Sequence, residues 1–436
     1  MLRIWGLAAI LSALADAPWL ALGYMLAGAV LAMLCFALTH RRRTPYLHLP
    51  LDELQPLDCG LQTLAGLTGG AVYEGNSVSV LQNGALFPAM EADIDAARET
   101  VHLETFVWTT GEVERRLVDA LCAKARRGVR VRLLIDALGG SRGSAERLQC
   151  LRDSGVELSE YCRPAWWNLR RFNHRTHRKL LIVDGAVGYT FGHGVGDQWL
   201  GDGEDEDHWR DTAVRMEGPV VCALQSVFME NWIEETQCVL GGEHCFPPLE
   251  HKGKACAHVV SSSSEETGSK VALLYTMAIA SARKEVIIQN PYFAPDDGMC
   301  ELLAKMVERG VAVHLMVPGR KTDSPFVRLA GSYLYRSLLE SGVRVYEFQP
   351  TLPHQKIVIV DGVWSHVGST NFDARSLALN EEVGVGILDE SVATQLKDAF
   401  EADLRRSSEL QLERWRRRPL LIRGYSWLAY QLHSQL

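Results

Sequence analysis

The feature that most constrains the fold of this chain is a nine-residue stretch that occurs twice. HRKLLIVDG occupies residues 177–185 and HQKIVIVDG occupies residues 354–362. Other blocks recur in the same order at a similar separation: ARETVHL (97–103) returns as ARKEVII (282–288), RRGVRVRLLIDA (126–137) as ERGVAVHLMVPG (308–319), and SGVEL (154–158) as SGVRV (341–345). A nearly constant period of this kind indicates an internal duplication. We therefore expect two similar halves.

Both halves alternate short apolar runs with amphipathic helical patterns. A helix is predicted over Glu112–Arg127 in the first half and over Gly298–Arg309 in the second, and each precedes a buried run, VRVRLLID or VAVHLMVP. The LLIVDG and IVIVDG runs are predicted as central strands. This pattern is typical of an α/β sandwich with a largely buried sheet. We place the halves at residues 50–248 and 249–436, with the seam near the Ser-rich segment 261–269.

The N-terminal segment, residues 1–45, is predicted to be a membrane anchor. Pro18–Thr39 is 22 residues long and carries no charge, which is enough to cross a hydrocarbon layer of ~30 Å as a transmembrane helix. The basic run His40–Arg43 follows, and basic residues favour the cytoplasmic side, so the body of the protein is expected in the cytoplasm. A shorter apolar run, Ile4–Ala15, is either the second arm of a hairpin or part of a signal peptide. The long run after it favours an uncleaved anchor.

Composition argues against some classes of function. With 47% hydrophobic and 22% charged residues, the chain is globular rather than disordered. Its net charge of −8 argues against a nucleic-acid partner, because nucleic acids select a basic surface. The ten cysteines include no C-x-x-C pair, which favours reduced thiols over a disulfide framework or a zinc site.

The repeated stretch carries the residues with chemical potential. In a strand, alternate residues face the same side, so His177 would point with Lys179 and His354 with Lys356. A single histidine on an apolar strand is usually a structural residue, but two copies in duplicated halves can meet in one cleft. Two imidazoles and two ammonium groups would suit covalent phosphoryl-type transfer, with one histidine attacking and the other protonating the leaving oxygen. Such a site needs no metal or cofactor.

The same residues resemble a known superfamily. H-x-K-x4-D followed by GSTN (368–371) is similar to the signature of the phospholipase D superfamily. Further stretches resemble bacterial cardiolipin synthases: NPYFAPDD (290–297), VPGRKTDSP (317–325), EFQP (347–350), GSTNFDARSLALNEEVGV (368–385) and ERWRRRPL (413–420). The resemblance covers residues 80 to 425. It implies two phospholipase D-like halves related by a pseudo-twofold axis, in an enzyme of the bacterial inner membrane whose catalytic body is cytoplasmic.

The resemblance also implies a reaction and its residues. The expected enzyme is a phosphatidyltransferase that makes cardiolipin from phosphatidylglycerol, or with phosphatidylethanolamine, through a phosphohistidine. The implied roles are His177 as nucleophile, His354 as acid and base, Lys179, Lys356 and Asn371 as phosphate-binding residues with Ser369 in support, and Glu382 and Asp211 as the carboxylates that orient the histidines. Asp184 and Asp361 complete the two motifs and are counted with the catalytic set, although their place at strand ends favours a structural role.

The first half departs from the family pattern after Asp184. The family has Gly-Gly/Ser-x-Asn there, whereas TFGHGVGD (190–197) puts Phe191 at the first glycine and Gly194 at the asparagine. Three explanations remain open. Asn371 alone is sufficient, or the backbone N–H of Gly194 takes over, since glycine lets the backbone approach a phosphate closely, or activity is weak or lost.

Alternative functions also stay open at this point. A phospholipase D-type hydrolase would pass the intermediate to water, and a catalytically silent membrane protein would explain the missing asparagine. The basic loop 163–175, with Trp166 and Trp167, is predicted to contact a lipid bilayer, and Trp199 and Trp209 are weaker candidates for the same role. The tail 413–432 mixes basic and apolar residues, which fits either an amphipathic membrane helix or an ordinary domain cap.

Overall fold

The computed structural model describes residues 18–39, 49–163, 174–263 and 269–432. The α-helices of these ranges are α1 Pro18–Thr39, α2 Leu57–Leu67, α3 Leu86–Ala96, α4 Glu112–Arg126, α5 Ala145–Asp153, α6 Val221–Thr236, α7 Lys270–Ala280, α8 Asp297–Glu308, α9 Pro325–Glu340, α10 Ala374–Ala378, α11 Glu390–Leu404, α12 Leu412–Arg416 and α13 Leu420–Gln431. The predicted amphipathic helices α4 and α8 are confirmed to within one residue at each end.

The strands of the same ranges are β1 Tyr73–Gln82, β2 Thr100–Thr105, β3 Arg130–Asp136, β4 Glu157–Tyr161, β5 Leu180–Val183, β6 Val187–Phe191, β7 Thr212–Glu217, β8 Ala255–Ser262, β9 Glu285–Gln289, β10 Ala312–Pro318, β11 Arg344–Phe348, β12 Ile357–Val360, β13 Trp364–Gly368, β14 Glu382–Leu388 and β15 Ser407–Glu409. The LLIVDG and IVIVDG runs form β5 and β12, as predicted.

All the strands belong to one sheet. Outward from its centre, the first half has the order β1-β7-β6-β5-β2-β3-β4 and the second has the order β8-β14-β13-β12-β9-β10-β11, with β15 at the edge. β1 pairs antiparallel with β8, with Tyr73 opposite Ala257, so the two halves share a continuous sheet. The α/β prediction is confirmed, and the single sheet that joins the halves was not expected.

The sheet is mixed, and its parallel parts are buried on both faces. β2, β3 and β4 are parallel to one another, as are β9, β10 and β11. All six residues of β2 are buried, because helices cover both faces of a sheet built in this way. The β-branched runs that the sequence shows as continuous apolar stretches are therefore interior strands.

The segment predicted as a membrane anchor does form one helix, α1. Its described side chains include exposed Trp19, Tyr24, Met25 and Leu26. When the search is restricted to the described residues, no helix combines the length and the apolar character that crossing a membrane requires.

Candidate active site

The two H-x-K motifs lie in extended segments that run into β5 and β12, rather than inside those strands as predicted. Each segment pairs with a segment of the other half. The backbone N–H of His177 donates to the carbonyl of Glu381 at 2.8 Å, and that of His354 donates to the carbonyl of Arg210 at 2.7 Å. This pairing brings each motif beside the residue that follows, Glu382 or Asp211.

Each histidine is held by a carboxylate of the other half. Nδ1 of His177 lies 3.0 Å from both carboxylate oxygens of Glu382, and Nδ1 of His354 lies 2.8 Å from Oδ2 of Asp211. A carboxylate only accepts hydrogen bonds, so it fixes a proton on Nδ1 and leaves the lone pair on Nε2. Both imidazoles are therefore set in the tautomer that a nucleophile or general base requires.

Burial controls the charge of these groups. It lowers the pKa of both His177 and His354 to about 4, against the opposing attraction of Glu382 and Asp211. Burial alone would raise the pKa of each carboxyl, but His177 and Lys179 lower that of Glu382, and His193, His354 and Lys356 lower that of Asp211. At neutral pH the site thus holds neutral imidazoles and ionised carboxylates.

The two lysines of the motifs are also buried and face the same site. Nζ of Lys179 donates to the carbonyl of His177 at 2.7 Å, and Nζ of Lys356 donates to that of His354 at 2.6 Å. Burial lowers the pKa of Lys179 to about 7 and that of Lys356 to about 8, and the charge of Lys356 lowers that of Lys179 further. The charge of Lys356 thus acts on Lys179, and two buried ammonium groups that influence each other in this way can bind a phosphate-like anion.

Each of the two carboxylates also accepts a hydrogen bond from a second side chain. The residue that donates this hydrogen bond differs between the halves. The hydroxyl of Ser369 donates to Glu382. In the first half Gly192 stands at the corresponding place, and the indole Nε1–H of Trp199 donates to Oδ2 of Asp211 at 3.1 Å instead. The expectation that Trp199 contacts a bilayer is wrong, because its side chain is buried. Trp166 and Trp167 lie outside the described residues.

The structure explains why the first half has no asparagine at the end of its motif. A Cβ added to Gly194 would lie 2.5 Å from Cβ of Val107 and 2.8 Å from the ring of Trp199, so no larger side chain fits. Asn371, its counterpart, is buried; its amide nitrogen lies 3.3 Å from Oγ of Ser376, and its Oδ1 has no partner within the described part of the chain. The first half therefore has glycine instead of asparagine at position 194 because Val107 and Trp199 occupy the space that a side chain would need.

Asp184 and Asp361 make hydrogen bonds of another kind. Each lies just after its strand with a positive φ, 51° and 54°. The carboxylate of Asp184 accepts from three consecutive backbone N–H groups, those of residues 98–100, at 2.7 to 2.9 Å, and Asp361 does the same with residues 283–285. These contacts fix two equivalent turns, so we place both residues outside the candidate site although they were counted with the catalytic set.

Several residues of the site were missed from the sequence. Phe106 lies edge-on to His177 with ring centroids 5.2 Å apart, and Trp209 and Tyr292 lie 5.6 and 6.4 Å from the ring of His354. Asp373 is buried, its charge raises the pKa of Lys356, and burial raises the pKa of Asp373 itself to about 7. Tyr292 lies in NPYFAPDD and Asp373 lies in GSTNFDAR, two stretches that carry the family resemblance. Their place in these stretches was the one sequence feature that could have indicated that they belong to the site.

Among the described residues, one group has the geometry to bind a metal ion. It consists of Glu204, Asp205 and His208, which lie near the surface. None of the three belongs to the paired H-x-K motifs. The expectation that the reaction needs no metal therefore stays a prediction.

The fold is similar to those of solved structures of other proteins. The fold resembles that of phosphatidylserine synthase from Haemophilus influenzae, with a TM-score of 0.66 and 14% identity over 87% of this chain and 99% of that one. It also resembles polyphosphate kinase from Porphyromonas gingivalis, with a TM-score of 0.51 and 14% identity over 85% and 52% of the two chains. At this identity the likeness concerns the fold alone.

Sequence comparison is more specific. The chain matches the family described as cardiolipin synthase, PLD-like domain, over residues 90–196 and 275–404. It is 35% identical over 362 residues to cardiolipin synthase 1 of Staphylococcus epidermidis, covering 82% of this chain and 73% of that one. It is 34% identical over 357 residues to the major cardiolipin synthase ClsA of Bacillus subtilis, covering 80% and 73%. The chain belongs to the cardiolipin synthase family of phospholipase D-like enzymes.

Proposed function

We propose that this chain is a phosphatidyltransferase that makes cardiolipin from two molecules of phosphatidylglycerol and releases glycerol. The observation that carries the proposal is the pair of buried histidines, each held by a carboxylate of the other half. Two buried lysines beside them supply the positive charge that a phosphodiester needs. Membership of the family favours transfer to a lipid over hydrolysis.

In the first step, Nε2 of His177 attacks the phosphorus of one phosphatidylglycerol. A nitrogen–phosphorus bond forms, the bond from phosphorus to the head-group glycerol breaks, and His354 gives a proton to the departing oxygen. The negative charge of the bound phosphate raises the pKa of His354 from about 4, which supplies the protonated form. Lys179, Lys356 and Asn371 stabilise the phosphate oxygens, while Ser369 acts through Glu382.

In the second step, a head-group hydroxyl of another phosphatidylglycerol attacks the same phosphorus. His354, now neutral, accepts the hydroxyl proton, the bond to His177 breaks, and cardiolipin leaves. The aromatic rings of Phe106, Trp199 and Trp209 against the histidines favour a lipid acceptor over water, because they limit the space for solvent. Phosphatidylethanolamine is a second co-substrate to test.

We also propose that residues 50–248 and 249–436 are phospholipase D-like domains related by a pseudo-twofold axis. The strand order is the same on both sides of the β1–β8 pair, and the Asp184 and Asp361 turns have matching hydrogen bonds. Such an axis places both H-x-K motifs in a single cleft. It supports a site that requires both halves.

Attachment to the bacterial inner membrane through α1 completes the proposal, with the body on the cytoplasmic side. The uncharged sequence of α1 and its exposed apolar side chains support it, as does the basic run at 40–43. Washing membranes with carbonate at high pH should leave the protein in the pellet, whereas detergent should release it. Release by carbonate alone would contradict attachment through α1.

The test is to incubate the detergent-purified protein with radiolabelled phosphatidylglycerol and separate the products. We expect cardiolipin together with free glycerol. Phosphatidic acid alone would identify a hydrolase, and no product, with phosphatidylethanolamine also tried, would indicate a silent protein. His177→Ala and His354→Ala should each lower turnover by at least about a thousandfold while the fold is retained, and near-normal activity in either would contradict the two-histidine mechanism.

A further inference from the structure

The C-terminal helix α13 packs on α9 and still leaves its large apolar side chains outside. It contacts α9 through Oγ of Ser426, which lies 3.0 Å from Oγ of Ser332, and through Tyr430, which stacks on Tyr333 with ring centroids 4.9 Å apart. The exposed large apolar residues of this helix are Leu420, Leu421, Ile422, Tyr425, Trp427 and Leu428. The helix therefore caps the domain with its smaller side chains and Tyr430, and within the described part of the chain its large apolar side chains remain exposed.

A basic pocket adjoins this face. It has a volume of about 410 Å³, and Trp427 belongs both to its lining and to the exposed face. Four arginines line the pocket against a single carboxylate, that of Glu340. Oε1 of Glu340 is already shared by Arg336, at 3.1 Å, and Arg416, at 2.9 Å. The remaining two, Arg418 and Arg423, form no ion pair within the described ranges.

Among the described residues, Arg418 has no carboxylate at ion-pair distance; Glu347, which pairs with Arg328, raises the pKa of Arg418 only against the larger effect of burial. The guanidinium of Arg418 lies 4.0 Å from the centre of the Trp415 ring and donates to Oγ of Ser426 at 3.3 Å. Burial lowers the pKa of Arg418, and the charges of Arg328 and Arg423 lower it further. A guanidinium in this setting presents unused donors with the fork geometry that matches phosphate oxygens.

We propose that this pocket and the apolar face of α13 bind an anionic phospholipid bilayer, with a lipid phosphodiester between Arg418 and Arg423. Leu420, Leu421 and Trp427 then enter the boundary between head groups and acyl chains, where aromatic and apolar side chains are stable. Basic residues beside an apolar face are complementary to an anionic membrane surface. This contact is separate from the paired histidines and goes beyond the proposed function. Its test measures lipid contact rather than turnover, so either proposal can fail without the other.

The experiment places a photoreactive benzoylphenylalanine at position 421 of the full-length protein in vesicles that contain radiolabelled phosphatidylglycerol. The matched control carries the same group at position 239, where Val239 is 81% exposed in a loop. We expect radiolabelled lipid on the protein from position 421 and little from position 239. Equal labelling from both, or a cross-link from position 421 to α1 or to a second copy of the chain, would overturn the proposal.

A second arm tests the pocket. In the unsubstituted pocket, we expect position 421 to label more lipid in phosphatidylglycerol vesicles than in phosphatidylcholine vesicles. The double substitution Arg418→Gln with Arg423→Gln should abolish this difference in labelling. Arg414→Gln with Arg417→Gln removes the same charge outside the pocket lining and should keep that difference. If both pairs behave alike, or if inorganic phosphate at matched phosphate concentration suppresses the labelling, the pocket is not a lipid head-group site. Unchanged turnover of a soluble short-chain phosphatidylglycerol shows that the fold is intact.

Discussion

Trp199 and Ser369 hold equivalent carboxylates with different side chains, and this makes Trp199 a positioning residue for His354. Trp199→Phe keeps an aromatic ring but removes the indole N–H that reaches Asp211. A hydrogen bond to a charged group contributes about 1.5–3 kcal/mol, so we expect kcat to fall about tenfold or more in steady-state assays. Trp209→Phe is the matched control, since Trp209 has no indole hydrogen bond within the described ranges. Equal losses in the two variants would contradict this role.

At position 194, we expect that introducing the asparagine typical of the family lowers both stability and activity. Gly194→Asn drives a Cβ into Val107 and Trp199. Overpacking of this kind costs about 1–3 kcal/mol and would displace the indole from Asp211. We expect a lower unfolding temperature in a thermal melt together with reduced turnover. An active variant of unchanged stability would mean that the packing here can adjust.

The pH dependence of kcat/KM follows from the charges of His177 and Lys179 in the free enzyme. Activity should fall as the pH drops through about 4, where His177 becomes protonated and loses its nucleophilic lone pair. It should also fall as the pH rises through about 7, where Lys179 loses its charge. Lys179→Arg keeps the charge, so the alkaline limb should move up toward the pKa of Lys356, about 8. The measurement uses a soluble short-chain phosphatidylglycerol, and an alkaline limb that does not move would exclude Lys179 as its origin.

At the scale of elements, the sequence predicted local structure well and long-range pairing poorly. Helices α4 and α8 and strands β5 and β12 follow from apolar periodicity, which is a local property. The family resemblance identified Glu382 and Asp211 as the carboxylates of the site. It did not show which histidine each one contacts, because that depends on backbone pairing between the two halves. Trp199 could not be assigned either, because its contact with Asp211 depends on how the loop after β6 packs.

Buried ion pairs behind the motifs join elements of the two halves. Nε of Arg210 donates to the carboxylate of Asp403 on α11 at 3.0 Å, with both side chains buried. Asp403→Asn leaves a buried guanidinium uncompensated, so we expect a loss of about 3 kcal/mol in the free energy of unfolding, measured with denaturant. Glu409→Gln, which breaks the exposed pair with Arg344, should cost at most about 1 kcal/mol. Similar losses in both would show that the Arg210 pair is not important for stability.

At the scale of the whole molecule, each histidine contacts a carboxylate of the other half, so we expect neither half to be active by itself. Residues 1–248 and 249–436 expressed separately should each be inactive, because His177 would lack Glu382 and His354 would lack Asp211. Expressed together, the fragments should recover activity through the β1–β8 pairing and the contacts at Glu381 and Arg210. Turnover in membranes from the three strains is the measurement, and activity from a single fragment would contradict a shared site.

The different donors at the two carboxylates have a consequence for how such a protein can change over evolutionary time. A symmetric dimer of a single repeat would have to present the same donor to both carboxylates, since both copies come from one coding sequence. Covalent fusion removes this constraint, so one copy can hold its carboxylate with the hydroxyl of Ser369 while the other uses the indole of Trp199. Each half then carries its own matched donor and carboxylate, so the donor of one half can change without a change in the other.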